Sequence, residues 1–261
     1  MFKRYFLFFL LTCCQAFSSL LTDSQVPTPP LIGILETLEI SPYRQIEDLA
    51  TALREKCLQT GDRWTFRERF DEKRETLLPL LDDLGCFNSV YASDTHYTYG
   101  VVLGALRIVV QKRIDFLISE WKRGIRFEKI IFLTGKRELR ASEGCEDLTS
   151  ETEMMLYVWN ETKMPSELRK VPLTVVDSPP APGRDRATTE STVFAWLETK
   201  SSPGSCLVIS SQPYVGYQDS ILKACLPSSF QIETVGPSGG RSLPTAVLMD
   251  NLSKWLLWSI K

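Results

Sequence analysis

The feature that most constrains the fold is an alternation of short apolar runs with helical patterns from residue 97 onward. Runs that are apolar at every position are typical of parallel strands, whose sheets are covered by helices on both faces. The pattern predicts an α/β fold over residues 96–261 with a doubly wound, mostly parallel, Rossmann-like sheet of five strands. The predicted strands are YTYGVVLGA, EKIIFLTGK, LTVVD, SCLVISS and FQIETVG.

An N-terminal pair of helices is predicted ahead of this sheet, within residues 43–95. The first helix is expected to begin at Pro42 after a Ser41 cap, and the second to run from Thr65 to Leu84. Neither helix can bury its apolar stripe alone, so both are expected to pack on the sheet domain. Residues 17–42 contain four prolines and are interpreted as an extended leader.

Residues 1–16, MFKRYFLFFLLTCCQA, have the pattern of a secretory signal peptide. Lys3 and Arg4 precede a short apolar run, which ends near small residues at Ala16. The pattern predicts export, with cleavage near Ala16. Two alternatives stay open: an uncleaved anchor that holds the protein at a membrane, and a lipoprotein modified at Cys13 or Cys14.

Charge and cysteine content exclude several classes of function. The chain has 30 basic and 32 acidic residues, so no basic excess favours nucleic-acid binding. It has a single histidine, His96, and its cysteines lack CxxC spacing, so neither a metal site nor a Ser-His-Asp hydrolase is expected. Five scattered cysteines follow the predicted signal, which allows at most two disulfides and indicates no disulfide framework.

Small, hydroxyl-bearing and charged residues follow the predicted strands. Because doubly wound sheets bind ligands beyond the carboxyl ends of their strands, these residues indicate a site for a phosphate, a nucleotide or a carboxylate. Short turns favour the same residue types, so Gly104 could serve only a turn and Lys136 could be a solvated charge. The ligand-binding residues predicted in this way are Gly104, Thr134, Gly135, Lys136, Thr188, Ser210 and Ser211.

Two glutamates at predicted helix starts are the candidate catalytic residues. Ser150 is expected to cap one helix with Glu153 as its partner in a capping box, which leaves Glu151 free to face the site. Thr188 and Thr189 are candidate caps of a second helix, and Glu190 after them is either a partner of the helix dipole or a functional carboxylate. If Glu151 and Glu190 converge, they could perform acid–base chemistry or hold a cation.

Residues 99–236 resemble the SanA/YdcF/ElyC family of bacterial α/β domains. The resemblance rests on the order and spacing of five short motifs, including an arginine eleven residues before a glycine, here Arg113 and Gly124. The chain departs from the family at Lys136, at Ser191, and at Tyr214 and Tyr217, which stand where the family has histidine and arginine. The segments that carry the resemblance are VVLGA, LTGK, SETEMMLYVWNETKMP, TTES and ISSQPYVGY.

The resemblance implies a Rossmann-like fold, a location in the periplasm or cell envelope, and a role in envelope-precursor metabolism. It adds Arg113 and Tyr214 to the predicted binding residues, and it suggests S-adenosylmethionine or another nucleotide-like compound as the ligand. Because tyrosine is a poor base at neutral pH, the loss of the family's histidine favours binding over catalysis.

Three functions follow, in order of preference. The first is an exported, envelope-associated protein that binds a small anionic or nucleotide-like ligand. The second is a hydrolase or transferase that acts on a phosphorylated or glycan substrate, with Glu151 and Glu190 as acid–base groups. The third is a non-catalytic interaction protein with a vestigial site.

Overall fold

The computed structural model of the protein describes residues 19–59, 68–145, 147–180, 183 and 186–261. The predicted signal peptide, residues 1–16, lies outside the described residues. The described chain forms an α/β fold around a sheet of five parallel strands in the order β3-β2-β1-β4-β5, which confirms the predicted Rossmann-like class. The strands are β1 (His96–Leu103), β2 (Arg126–Gly135), β3 (Leu173–Ser178), β4 (Ser205–Ile209) and β5 (Gln231–Val235).

Helices cover both faces of the sheet and extend beyond it at the N-terminus. They are α1 (Pro29–Thr37), α2 (Ile46–Cys57), α3 (Arg74–Asp83), α4 (Arg107–Arg123), α5 (Glu151–Glu161), α6 (Ser166–Arg169), α7 (Thr189–Glu198), α8 (Val215–Cys225) and α9 (Thr245–Ser259). Single turns of 3₁₀ helix occupy Asp71–Lys73 and Ala141–Glu143.

The strands are apolar throughout because each of their faces is buried against a different set of helices. Val102, Ile130 and Phe132 pack into a core with α4 and α5 on one face. Their neighbours along the strands, such as Val101 and Ile131, pack with α7 and α8 on the other. Successive side chains of a strand point to opposite faces, so a sheet covered on both sides needs an unbroken apolar run.

The N-terminal helices pack on the last helix of the chain. Leu49 and Leu53 of α2 share a third buried core with Leu252 and Leu256 of α9. The expectation that these helices cover their apolar stripes against the rest of the protein is therefore confirmed. Cys57 belongs to the same core, and burial raises the pKa of its thiol to about 12.

The N-terminal region differs from prediction in three boundaries. The prediction of an extended leader over residues 17–42 is wrong in part, because Pro29–Thr37 forms α1. A proline fits the first turn of a helix, where the backbone N–H has no intrahelical acceptor. Helix α2 begins at Ile46 after Gln45, so neither Pro42 nor Ser41 takes part in its start. Helix α3 begins at Arg74 and not at Thr65, a residue that itself lies outside the described residues.

All five cysteines of the described chain are free thiols: Cys57, Cys86, Cys145, Cys206 and Cys225. None of the helices in the described residues is long and apolar enough to cross a bilayer.

Candidate functional site

The strand order places a topological switch point between β1 and β4. From β1 the chain moves through β2 to β3 on one side, and later through β4 to β5 on the other. In open α/β sheets, ligands bind in the crevice that this reversal leaves beyond the carboxyl ends of the strands. Gly104 follows β1 and Ser210 and Ser211 follow β4, so three predicted residues lie at the switch point.

The guanidinium group of Arg113 spans the switch point. Its Nη1 atom donates to the carbonyl oxygens of Leu103 at 2.7 Å and Gly104 at 2.9 Å, and its Nη2 atom donates to Ser211 Oγ at 3.2 Å. Arg113 belongs to α4, and only 2% of its surface is exposed. A buried positive charge therefore joins the end of β1 to the loop after β4.

The carboxylate of Glu151 lies against Gly104. Glu151 is the first residue of α5 and is buried, and a Cβ atom added to Gly104 would overlap its Oε1 atom. The same Oε1 accepts a hydrogen bond of 3.4 Å from the Gly135 amide, and Oε2 accepts one from Arg137 Nε. The lack of a side chain at Gly104 thus makes room for this carboxylate.

Arg137 connects Glu151 to a second buried carboxylate, Glu143. Its Nη1 and Nη2 atoms lie 2.7 and 3.0 Å from the two oxygens of Glu143, and Nη2 also donates to the carbonyl oxygen of Ala105 at 2.9 Å. Glu143 in turn accepts from the Arg107 amide at 3.0 Å. This network fastens the loop between β2 and α5 over the turn that follows β1.

The two carboxyl groups have pKa values displaced in opposite directions. Burial raises the pKa of Glu151, and the nearby charges of Arg137 and Arg113 oppose this effect without cancelling it. Burial also acts to raise the pKa of Glu143, but hydrogen bonds from Arg137 and from the amides of Arg140 and Arg107 outweigh it and lower that pKa. Glu151 is therefore the group whose charged form is disfavoured by its surroundings.

The two predicted helix caps are present. Ser150 Oγ accepts from the Glu153 amide at 3.2 Å, and Thr188 Oγ1 accepts from the Ser191 amide at 3.1 Å. The capping box predicted at Ser150 is wrong in one bond, because Glu153 Oε2 accepts from the Thr149 amide at 2.7 Å. Thr188 also donates its own amide to Ser191 Oγ at 2.9 Å, which completes a capping box. The hydroxyl of Thr188, a predicted ligand-binding group, therefore serves to begin α7.

Glu190 is not joined to Glu151. Among the residues that the structure describes, no hydrogen bond or ion pair links the two carboxylates. Glu190 is half-buried, and the thiol of Cys225 in the last turn of α8 is close enough to feel its charge. The convergence of the two glutamates stays a prediction, and Glu151 is the one that lies beside Gly104 at the end of β1.

Four other predicted residues make contacts within the protein or with solvent. The hydroxyl of Thr134 lies 2.6 Å from Thr152 Oγ1, and the Lys136 side chain is exposed while its amide donates to Ser178. Ser210 is fully buried and donates to Gln218 Oε1. Tyr214 precedes α8, and its amide donates to the carbonyl oxygen of Ser211 at 2.9 Å.

Sequence reasoning missed the residues that close the rim beside β4 and β5. Gln212 Nε2 donates to the carbonyl oxygens of Gly85 at 2.8 Å and Asn88 at 2.9 Å. Val90 and Gly236 exchange two backbone hydrogen bonds of 3.0 Å. No local sequence pattern predicts these contacts, because they join the N-terminal helical region to loops more than a hundred residues away. Glu143 was also missed, because it lies between β2 and α5 in a segment without a recognisable motif.

These side chains carry a charge and hydrogen-bonding groups that suit polar chemistry. Arg113 supplies positive charge, the Ser211 hydroxyl can donate a hydrogen bond, and Glu151 can accept one or exchange a proton. In the described residues, no group of three or more His, Cys, Asp or Glu side chains lies close enough together to hold a metal ion.

Comparison with known proteins adds little about function. No family model matches the chain, and no solved structure matches it significantly. Curated proteins with a similar segment include an uncharacterized protein of Mycobacterium bovis and two of Mycobacterium tuberculosis, each 39% identical over 70 residues. The segment covers 25% of this chain and 20% of each relative. The matched segment therefore spans only about a fifth of the length of each relative. The resemblance to the SanA/YdcF/ElyC family stays a prediction.

Proposed function

We propose that this protein is an exported, envelope-associated protein that binds a small anionic or nucleotide-like ligand at the switch point between β1 and β4. The observation that carries the proposal is the buried Arg113 guanidinium, which reaches Ser211 Oγ at 3.2 Å in this crevice. It donates to two carbonyl oxygens and a hydroxyl, and its charge acts to lower the pKa of Glu151. A ligand anion beside this guanidinium would gain charge-assisted hydrogen bonds, which are stronger than hydrogen bonds between neutral groups.

Each group around the crevice has a role in this proposal. Arg113 and the Ser211 hydroxyl would hold the anionic part of the ligand, and Glu151 would accept hydrogen bonds from its hydroxyl or amino groups. Lys136, exposed at the end of β2, would add positive charge at the entrance. S-adenosylmethionine and other nucleotide-like compounds are the first candidates, because the family resemblance suggests them. The envelope location follows from the signal pattern in residues 1–16 and from the same resemblance.

The test combines an open search with a directed one. The full chain is purified from its native source and analysed by native mass spectrometry for a bound small molecule. Nucleotides and sugar phosphates are then screened by thermal unfolding. A ligand present at a hundred times its Kd stabilises the folded state by about 2.7 kcal/mol. We expect this stabilisation in the wild type and a clear loss of it in Ser211→Ala.

Ser205→Ala is the matched control, because Ser205 lies at the opposite end of the same strand, where its hydroxyl accepts from the Thr98 amide at 3.1 Å. This variant should bind as the wild type does. Equal stabilisation of Ser211→Ala and Ser205→Ala would place the ligand elsewhere. If no ligand is found by either search, the protein is better described as an interaction protein with a vestigial site.

A second candidate function is acid–base catalysis by Glu151 on a phosphorylated or glycan substrate. The raised pKa of this buried carboxyl group favours it, because general acids and bases often have pKa values displaced by burial. Glu151→Gln would then abolish turnover while the protein stays folded. Glu153→Gln is the control, because Glu153 lies on the same helix but only caps it through Thr149. Glu190→Gln tests the other glutamate and is expected to leave turnover unchanged, since Glu190 is not joined to Glu151.

A further inference from the structure

The position that Glu151 fills has the properties of an anion-binding site. Gly104 leaves the backbone uncovered, the Gly135 amide donates at 3.4 Å, and the Arg137 guanidinium donates through Nε. An uncovered glycine, a backbone amide and a positive charge after the first strand are the features that let doubly wound sheets hold an anionic ligand. In this chain, the anion beside these groups is a side chain of the protein itself.

At the start of α4, the helix that follows β1, a carboxylate of the chain also takes the place of a ligand anion. The start of a helix presents free amides that attract anions. At the start of α4, the Arg107 amide already donates to Glu143 Oε2 at 3.0 Å. Glu143 is buried, and its other oxygen lies 2.7 Å from Arg137 Nη1. Two carboxylates of the chain thus take the hydrogen bonds that this turn would otherwise offer to a ligand.

We propose that the carboxyl ends of β1 and β2 form an anion pocket that the chain fills with its own Glu151. A free carboxylate or phosphate can bind there only when the Glu151 side chain is removed. A further consequence, which rests on the proposed function, concerns the class of ligand. The ligand presents hydroxyl or amino groups to Glu151 and keeps its anionic group at the end of β4, beside Ser211. It is therefore an anion that also carries hydrogen-bond donors, and not a bare phosphate or pyrophosphate.

The experiment asks whether a small anion can replace the missing side chain. Glu151→Ala removes the carboxylate but leaves Gly104, Gly135 and Arg137 in place. Thermal unfolding is measured with excess sodium formate and with sodium gluconate at the same ionic strength, because gluconate is larger than the removed side chain. Formate is expected to raise the unfolding midpoint of Glu151→Ala by about 3 °C or more relative to gluconate. Inorganic phosphate, the second probe, is expected to act in the same direction.

Two control proteins should show no such gain. In the wild type, Glu151 already fills the pocket. In Glu153→Ala, the lost carboxylate is an exposed group that accepts from the Thr149 amide, and the pocket is intact. Equal responses to formate in all three proteins, or no response in Glu151→Ala, would overturn the proposal.

Refolding keeps the proposal testable if Glu151→Ala does not fold in ordinary buffer. The variant is then refolded from denaturant in formate and in gluconate. A higher yield of folded protein in formate supports the pocket, and failure in both salts contradicts it. The outcome is independent of the ligand search with the wild type. The absence of a formate effect in Glu151→Ala therefore refutes the filled pocket, whereas the absence of any ligand for the wild type refutes the proposed function.

Discussion

Arg113 Nη2 donates a hydrogen bond of 3.2 Å to Ser211 Oγ, although the two residues are 98 positions apart in the chain. The contact joins the first helix of the sheet domain to the loop after β4, across the place where the chain reverses its winding direction. Because the other amino group of the guanidinium binds the carbonyl oxygens of Leu103 and Gly104, one side chain ties together both sides of the switch point.

Arg113→Met is expected to destabilise the protein by about 2–4 kcal/mol, because it leaves buried carbonyl groups without their donor. The measurement is urea unfolding followed by circular dichroism. Lys112→Met is the control, because Lys112 is the neighbouring residue of α4 and is exposed. It should change the free energy of unfolding by no more than about 0.5 kcal/mol. Similar costs for the two variants would show that the contacts of Arg113 contribute nothing specific.

Gly104→Ala is expected to push the Glu151 carboxylate out of place, since the new methyl group would overlap Oε1. We expect a destabilisation of about 1–3 kcal/mol, the usual cost of overpacking a filled site. In a Glu151→Ala background the same change should cost far less, because the obstructing carboxylate is gone. A double-mutant cycle measures this difference as a coupling free energy. A coupling near zero would contradict the close approach of these two residues.

Because the pKa of Glu143 is lowered in the folded protein, the free energy of unfolding should fall as the pH becomes acidic. A carboxyl group whose pKa is lower in the folded than in the unfolded state stabilises the protein above its unfolded pKa, about 4.3. That stabilisation is lost as the pH falls through the lower, folded value. Denaturant unfolding of the wild type should therefore show a loss of stability on acidification below about pH 4 that Glu143→Gln shows more weakly. Parallel curves for the two proteins would rule out this linkage.

Leu49→Ala in α2 is expected to lower the free energy of unfolding of the whole protein by about 2–5 kcal/mol, with a single transition. The reason is that Leu49 lies in the core shared with Leu252 and Leu256 of α9, so the N-terminal helices have no separate core. Glu55→Ala, an exposed change in the same helix, is the control. If α1–α3 formed an independent unit, Leu49→Ala would instead produce a separate early transition while the sheet domain unfolded as before.

The sequence alone was enough to identify the strands and helix caps, which depend on patterns among neighbouring residues. The predicted strand YTYGVVLGA became β1 at His96–Leu103, and the caps Ser150 and Thr188 begin α5 and α7 as expected. These features could be predicted because burial on both faces requires an unbroken apolar run, and because a cap satisfies amides only three residues away. The prolines of the predicted leader did not distinguish an extended chain from a helix, because Pro29 suits both an extended chain and a first helical turn.

The contacts at the switch point could be decided only by the tertiary structure. Arg113 donates to Ser211, and Glu143 and Glu151 share Arg137. The charge of Glu190 acts on Cys225, although the sequence offers similar signals for Glu151 and Glu190. Local periodicity specifies which residues form a strand or a helix. Which buried charge faces which partner depends on strand order and loop paths, and the cost of burying an unpaired charge selects among the arrangements that these allow.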